Sequence, residues 1–132
     1  MKVIVDSPIW SLTLRKGADP AHTATLGQLS RRGDVQLLGA VRQEVLSGIR
    51  EGKQLQYIRE RLAAFPDVPL LREDYERAAS MFNRCRSRGV PGSNTDFLIC
   101  AVAIREDFLI YTTDGDFKLY AKYLHLKLFV HP

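Results

Sequence analysis

The chain has 132 residues, 45% of them hydrophobic and 26% charged, an ordinary globular composition that excludes disorder, fibrous repeats and a core too small to stand without disulfides. Nineteen basic side chains against 15 acidic ones give a formal charge of +4, a mild lean towards a polyanionic partner such as nucleic acid, which a solvated basic surface explains equally well. The longest uncharged apolar run, Phe97 to Ile104, is too short to cross a bilayer, and the N-terminal run meets Asp6 too soon to be a signal-peptide core, so a cytoplasmic protein with no membrane partner is expected.

Val3-Ile4-Val5 is a β-branched run ending at Asp6, and Ser7-Pro8 signals a helix, with serine as cap and proline in its first turn, continuing to Arg15. A second helix is expected from Ala21 to Arg32, closed by Gly33, before a strand over Val35 to Leu38. Gly39 opens the next helix, in which Val41, Glu44, Val45 and Gly48 share a face, so Glu44 falls on an apolar stripe.

Amphipathic helices follow over Lys53 to Phe65 and Arg72 to Arg88, separated by Pro66 and Pro69. Ser93, Asn94 and Thr95 then cap a helix, Asp96 to Ile104, that is apolar almost all round and so belongs in the centre of the fold. Phe108 to Tyr111 reads as a third strand ending in Thr112-Thr113-Asp114-Gly115-Asp116, followed by a short helix to Leu124 and a last strand, Leu126 to Val130. The alternation predicts one α/β domain over residues 1–132, with a central, mostly parallel sheet of four to five strands and helices on both faces.

In such a sheet ligands bind beyond the carboxyl ends of the strands, and Asp6 and Asp114 both follow strands directly. Glu44 and Asp96 lie near helix starts, and if they face the same edge four carboxylates converge. Two like charges about 4 Å apart repel by roughly 4 kcal/mol at an effective dielectric near 20, so a cation is required. Oxygen donors without histidine or cysteine select Mg²⁺ or Mn²⁺ over zinc, and such an ion serves phosphodiester hydrolysis. Each acid also has a plainer reading: Asp6, Asp96, Asp114 and Asp116 as capping or turn residues, and Glu44 paired with Arg42 or Arg50.

The segments Val3-Ile-Val-Asp6-Ser7 with Trp10, Val41-Arg-Gln-Glu44-Val45, Asn94-Thr-Asp96-Phe-Leu-Ile-Cys-Ala101 and Thr112-Thr-Asp114-Gly-Asp116-Phe117 carry a resemblance. Over essentially its whole length the sequence resembles a PIN domain, and within that group the VapC-type toxins of bacterial toxin–antitoxin pairs. The resemblance implies a metal-dependent endoribonuclease acting on tRNA or rRNA, a homodimer, silenced by a cognate antitoxin. It matches Asp6, Glu44 and Asp96 to metal-ligating acids, Asp114 to the fourth acid, and Ser7 and Thr112 to supporting hydroxyls. Asp116 competes with Asp114 for the fourth role, and Pro8 stands where the family more often has a small hydroxyl residue. A catalytically inert, metal-stabilised module that binds RNA or protein is the alternative.

Outside the acids, Arg84 and Arg88 share a helical face and are candidate phosphate contacts, against a solvated-surface reading. Trp10, Leu12, Leu26 and Leu29 on the first two helices are candidates for an apolar groove that an antitoxin segment fills, an expectation that comes mainly from the resemblance. His22, His125 and His131 are scattered and read as surface or structural residues. Cys85 and Cys100 lack ligand spacing and read as buried free thiols.

Overall fold

The computed structural model describes residues 1–50 and 52–132. Strand β1 (Val3–Val5) leads into helices α1 (Ser7–Leu14) and α2 (Pro20–Arg31), then β2 (Val35–Gln36) and α3 (Gly39–Leu46). Helices α4 (Gly52–Leu62), α5 (Arg72–Ser87) and α6 (Asn94–Glu106) precede β3 (Leu109–Tyr111) and α7 (Asp116–Tyr120). The sheet is parallel, ordered β2-β1-β3, with Val3 opposite Val35 on one side and Leu109 on the other. The chain therefore leaves β1 for one neighbour and returns to the other. With right-handed crossovers the two connections cover opposite faces, and β1–β3 becomes the point where the strand order reverses.

The described residues contain three strands, not the four to five expected. The segment expected as the last strand, Leu126 to Val130, makes only a bridge at Leu128. Leu109 and Tyr111 turn their polar groups towards β1, which leaves Ile110 as the single residue of β3 facing outward. Its N–H donates to Lys127 (2.9 Å) and its carbonyl accepts from Phe129 (2.8 Å), too few bonds for a ladder. β2 likewise stops two residues short, because the Leu37 carbonyl accepts from Val68 (2.9 Å) and Leu38 already precedes α3.

All of β1 is buried, as is every residue of α6 from Phe97 to Ala103, in one core with Trp10, Leu37, Val41, Ile58 and Phe117. α5 lies against α6 and meets it through Asp74, a buried carboxylate clamped by Arg105 Nε (2.7 Å) and Nη2 (2.9 Å). That pair joins the two helices at the end remote from Asp96, whose place is the first turn of α6. Among the described residues no helix is long and apolar enough to cross a membrane.

Candidate active site

The strand order puts Asp6, just past β1, beside Thr112, just past β3, at the reversal point where open parallel sheets bind ligands. Asp6 is 4% exposed. Its Oδ1 accepts from the Ser7 N–H (2.8 Å) and its Oδ2 from the Thr112 hydroxyl (2.8 Å). The helix cap is thus Asp6 rather than Ser7: Asp6 keeps extended backbone (φ −81°, ψ 161°), whereas Ser7 is already helical. Ser7 instead lines a cleft with Glu44.

Burial pushes the Asp6 carboxyl up to about 6. The Thr112 and Ser7 hydrogen bonds pull it down, and the charges of Asp96 and Glu44 add to the rise, so all three acids share one electrostatic neighbourhood. Glu44 is also raised, first by partial desolvation and then by Asp96, with the Ser7 hydrogen bond opposing. It is exposed rather than set in an apolar stripe. α3 ends at Leu46, so Gly48 lies beyond it, and the buried face carries only Val41 and Val45. Glu44 instead lines a cleft with Ser7, Ala40, Ser47 and Thr95, which runs along α3 and meets the beginnings of α1 and α6. Of its two expected partners, Arg42 is engaged by Asp67 (2.9 Å) and the carbonyls of Leu62 and Phe65, and Arg50 makes no ion pair with Glu44 among the described residues.

Asp96 sits in a capping box with Ser93: the Ser93 hydroxyl accepts from the Asp96 N–H (3.1 Å), and Asp96 Oδ2 accepts from the Ser93 N–H (3.3 Å). The same oxygen accepts from the Tyr120 hydroxyl (3.1 Å), and burial with the Asp96 charge raises the Tyr120 phenol. Tyr120 had no signal in the sequence. Its approach needs Gly92, where a Cβ would lie 2.7 Å from Phe97 Cε2 and against the Tyr120 hydroxyl. Asp114 is tied in through Thr112, whose Oγ1 accepts the Asp114 N–H (3.0 Å), and Asp114 Oδ1 caps the Asp116 N–H (2.9 Å). Asp116 is exposed on α7, while Asp114 is half-buried.

The plain readings thus hold in part, since Asp6, Asp96 and Asp114 each accept from a backbone amide. None of these acids pairs with a lysine or arginine among the described residues. As the side chains stand, no three acids, histidines or cysteines among the described residues are spaced to grip one ion. The donor set nevertheless suits a hard dication: carboxylates alone, one of them buried without a counter-cation and felt by two others. Both cysteines are free and buried, and burial raises their thiols, which makes them poor metal ligands.

The remaining candidates divide. Arg84 donates to the Tyr123 carbonyl (3.4 Å), and the Arg88 guanidinium lies 5.6 Å from the Tyr123 ring centre, so both hold the C-terminal segment and neither lines the cleft at Glu44. A groove of about 380 Å³ does open between α1, α2 and α4, lined by Trp10, Leu14, Leu26 and Phe65. Leu29 is buried in the core, and Leu12 lies outside the groove. His22 and His131, far apart in sequence, pack with tilted rings whose centres are 4.0 Å apart beside Tyr111, which sequence spacing gave no means of seeing.

A parallel sheet with acids at its reversal point defines a class of α/β fold, and comparison with known proteins says which. The PIN domain family matches residues 3–123, and the chain belongs to it. Members of this family are nucleases and generally use divalent metal ions. The fold is similar to that in the structure of FitAcB from Neisseria gonorrhoeae, with a TM-score of 0.77, 21% identity, and 97% of this chain and 96% of that one covered. It is also similar to that in VapBC2 from Rickettsia felis bound to a DNA fragment from its promoter, with a TM-score of 0.79, 17% identity and 98% of both chains covered. No curated protein matches the chain in sequence.

Proposed function

We propose that the chain is a metal-dependent endoribonuclease, the toxin of a type II toxin–antitoxin pair, that cuts tRNA or rRNA in the cytoplasm and is folded as one domain over residues 1–132. The observation that carries this reading is Asp6: a buried carboxylate at the strand-order reversal, without a cationic partner among the described residues, and within the field of Asp96 and Glu44. In this reading Asp6, Glu44 and Asp96 hold Mg²⁺ or Mn²⁺, with Asp114 as outer ligand or water-orienting group. The ion, when bound, neutralises charge on the phosphodiester and acts as a Lewis acid. Thr112 fixes one Asp6 oxygen, Ser7 lies in the cleft beside Glu44, and Tyr120 orients Asp96. A carboxylate left off the ion accepts the proton of the attacking water.

The groove beside Trp10 and Leu26 suits an apolar antitoxin segment. A homodimer completes the proposed assembly. The test is incubation of the purified chain with total cellular RNA and Mg²⁺ or Mn²⁺, sequencing the fragments, with Asp6→Asn alongside. Discrete cuts lost in that variant are expected, and cleavage that persists in it removes the central assignment.

The inert, metal-stabilised binding module is favoured by one observation, that Asp6, Asp96 and Asp114 each already accept from a backbone amide. It wins if Mn²⁺ raises the melting temperature while no RNA is cut.

A further inference from the structure

We propose that Gln43 and Thr95 select RNA by reading the 2′-hydroxyl of the nucleotide at the bond that is cut, an inference that rests on the nuclease reading above. The cleft that holds Glu44 has a volume of about 540 Å³ and is lined also by Gln43, Ser47 and Thr95. Ala40, Gln43, Glu44 and Ser47 fall at i, i+3, i+4 and i+7, so they form one wall along α3 and its C-cap. Thr95 lies in the first turn of α6, beside Asp96.

Among the described residues that line the cleft there is no lysine, arginine or histidine, and Arg42, next to Gln43 in the chain, is held by Asp67 and two carbonyls. What the cleft offers besides Glu44 is neutral. Gln43 and Ser47 are exposed and Thr95 is half-buried, so all three are open to an incoming strand. The Ser47 hydroxyl donates to the Gln43 carbonyl (2.7 Å) and keeps only its acceptor role. Neither the Gln43 amide nor the Thr95 hydroxyl has a hydrogen-bond partner among the described residues. An amide presents a donor and an acceptor together, and a hydroxyl plays either part. A 2′-hydroxyl, itself donor and acceptor, is met by such groups in both roles.

The chemistry itself does not choose RNA. Attack of water on a phosphodiester leaves the 2′-oxygen uninvolved and proceeds on RNA and DNA alike, so the choice has to come from a contact with the sugar. A lysine or arginine in this cleft would hold a phosphate, which both nucleic acids carry. Gln43 and Thr95 are instead the chain neighbours of Glu44 and Asp96, two of the acids at which the scissile phosphate lies in this reading. Along a strand the sugar is met next after the phosphate, and the 2′-hydroxyl sits on the carbon adjoining the one that bears the 3′-oxygen, nearer than any base edge.

The test uses an oligoribonucleotide spanning one bond that the parent chain cuts in total cellular RNA, and the same strand with deoxyribose on both sides of that bond. The ratio of kcat/KM on the two strands, measured with Mn²⁺, reports the preference for ribose and cancels any loss common to both. Gln43→Ala and Thr95→Val, the second of which keeps the side-chain shape, are each expected to lower that ratio about three- to tenfold, the effect of one neutral hydrogen bond. If Thr95→Val melts early, Gln43→Ala, at an exposed position, decides alone. A ratio equal to the parent's in both variants overturns the proposal even where both strands are cut more slowly, because a merely structural role slows both alike. A parent that cuts the two strands equally well also overturns it, and either result leaves the nuclease reading standing. Failure of that reading is separate: the parent then cuts no cellular RNA with either metal, and the ribose assignment falls with it.

Discussion

The Thr112 hydroxyl donates to Asp6 Oδ2 at 2.8 Å, joining two residues 106 positions apart at the ends of adjacent parallel strands. Thr112 Oγ1 also accepts the Asp114 N–H, so one hydroxyl holds two of the acids in register. Thr112→Val keeps the shape and removes both bonds, leaving a buried carboxylate oxygen short of a donor. A loss of about 1 kcal/mol in stability is expected, with a fall of roughly 10–100-fold in Mn²⁺ affinity or cleavage, as for other groups that orient ligands. Thr112→Ser should restore most of both. Equal Mn²⁺ affinity in Thr112→Val and the parent, by calorimetry, would show that Thr112 does not position Asp6 for metal.

Asp6 makes the ion-free protein sensitive to pH in a definite direction. Its carboxyl is raised from 3.8 to about 6 in the fold, so between those values the native state holds a proton that the unfolded chain has lost. Stability is therefore full below about pH 4 and falls as pH rises through about 6, by up to about 3 kcal/mol from this group. Asp6→Asn removes the penalty. In EDTA its melting temperature should match the parent's near pH 4 and exceed it at pH 7.5, while Mn²⁺ at pH 7.5 should raise the parent far more than the variant. A difference that stays constant across this range contradicts the assignment.

Gly92 tests the support of Asp96 from outside the acids. A Cβ there meets Phe97 Cε2 at 2.7 Å and Tyr120 Cζ at 2.9 Å, so Gly92→Ala must displace the ring whose hydroxyl donates to Asp96. Overpacking of this kind costs about 1–3 kcal/mol. Tyr120→Phe separates the two effects, because it retains the ring and removes only the donor. Reduced cleavage is expected in both variants, and reduced thermal stability chiefly in Gly92→Ala. If Tyr120→Phe cuts RNA at the parental rate, the hydroxyl has no part in orienting Asp96.

The fourth acid is Asp114 in our reading, since it is half-buried and bonded to Thr112 while Asp116 is exposed at the start of α7. Asp114→Asn should lower cleavage at least tenfold, and Asp116→Asn should leave it within about twofold of the parent. The two rates, measured on one RNA at saturating Mn²⁺, decide between them. A larger loss in Asp116→Asn reverses the assignment.

Where the sequence was informative, short-range patterns carried the information. The β-branched run before Asp6, the capping residues before Asp96 and the apolar α6 all follow from residue order, and so does the edge to which Asp6 and Asp114 point. What failed depended on partners distant in the chain. The length of a strand at Leu126 to Val130 was set by β3, which turns only Ile110 towards it. The face of Glu44 was set by where α3 stops, and the cap of α1 fell to Asp6 because Ser7 had entered the helix. Tyr120 on Asp96 and His131 on His22 join residues that no periodicity links.

The Asp74–Arg105 pair offers a control remote from the acids, joining α5 to α6, the helix that carries Asp96. Asp74 is fully buried, accepts from Arg105 through both oxygens and caps the Leu71 N–H (2.8 Å). Desolvation pushes its carboxyl up, but Arg105 and the Leu71 amide outweigh this and hold it below the ordinary range. Its stabilisation is therefore present above the unfolded carboxyl value and lost as pH falls through the lowered one. Arg105→Ala leaves a buried charge unpaired and is expected to cost about 3–5 kcal/mol in urea unfolding at pH 7. Near pH 2, where Asp74 is largely protonated in the variant and in the unfolded chain, the gap should narrow. Mn²⁺ affinity per folded molecule should stay unchanged, because Arg105 sits at the opposite end of α6 from Asp96. A variant that folds but binds Mn²⁺ less tightly would mean that the α5–α6 clamp also sets the position of the acid at the far end of that helix.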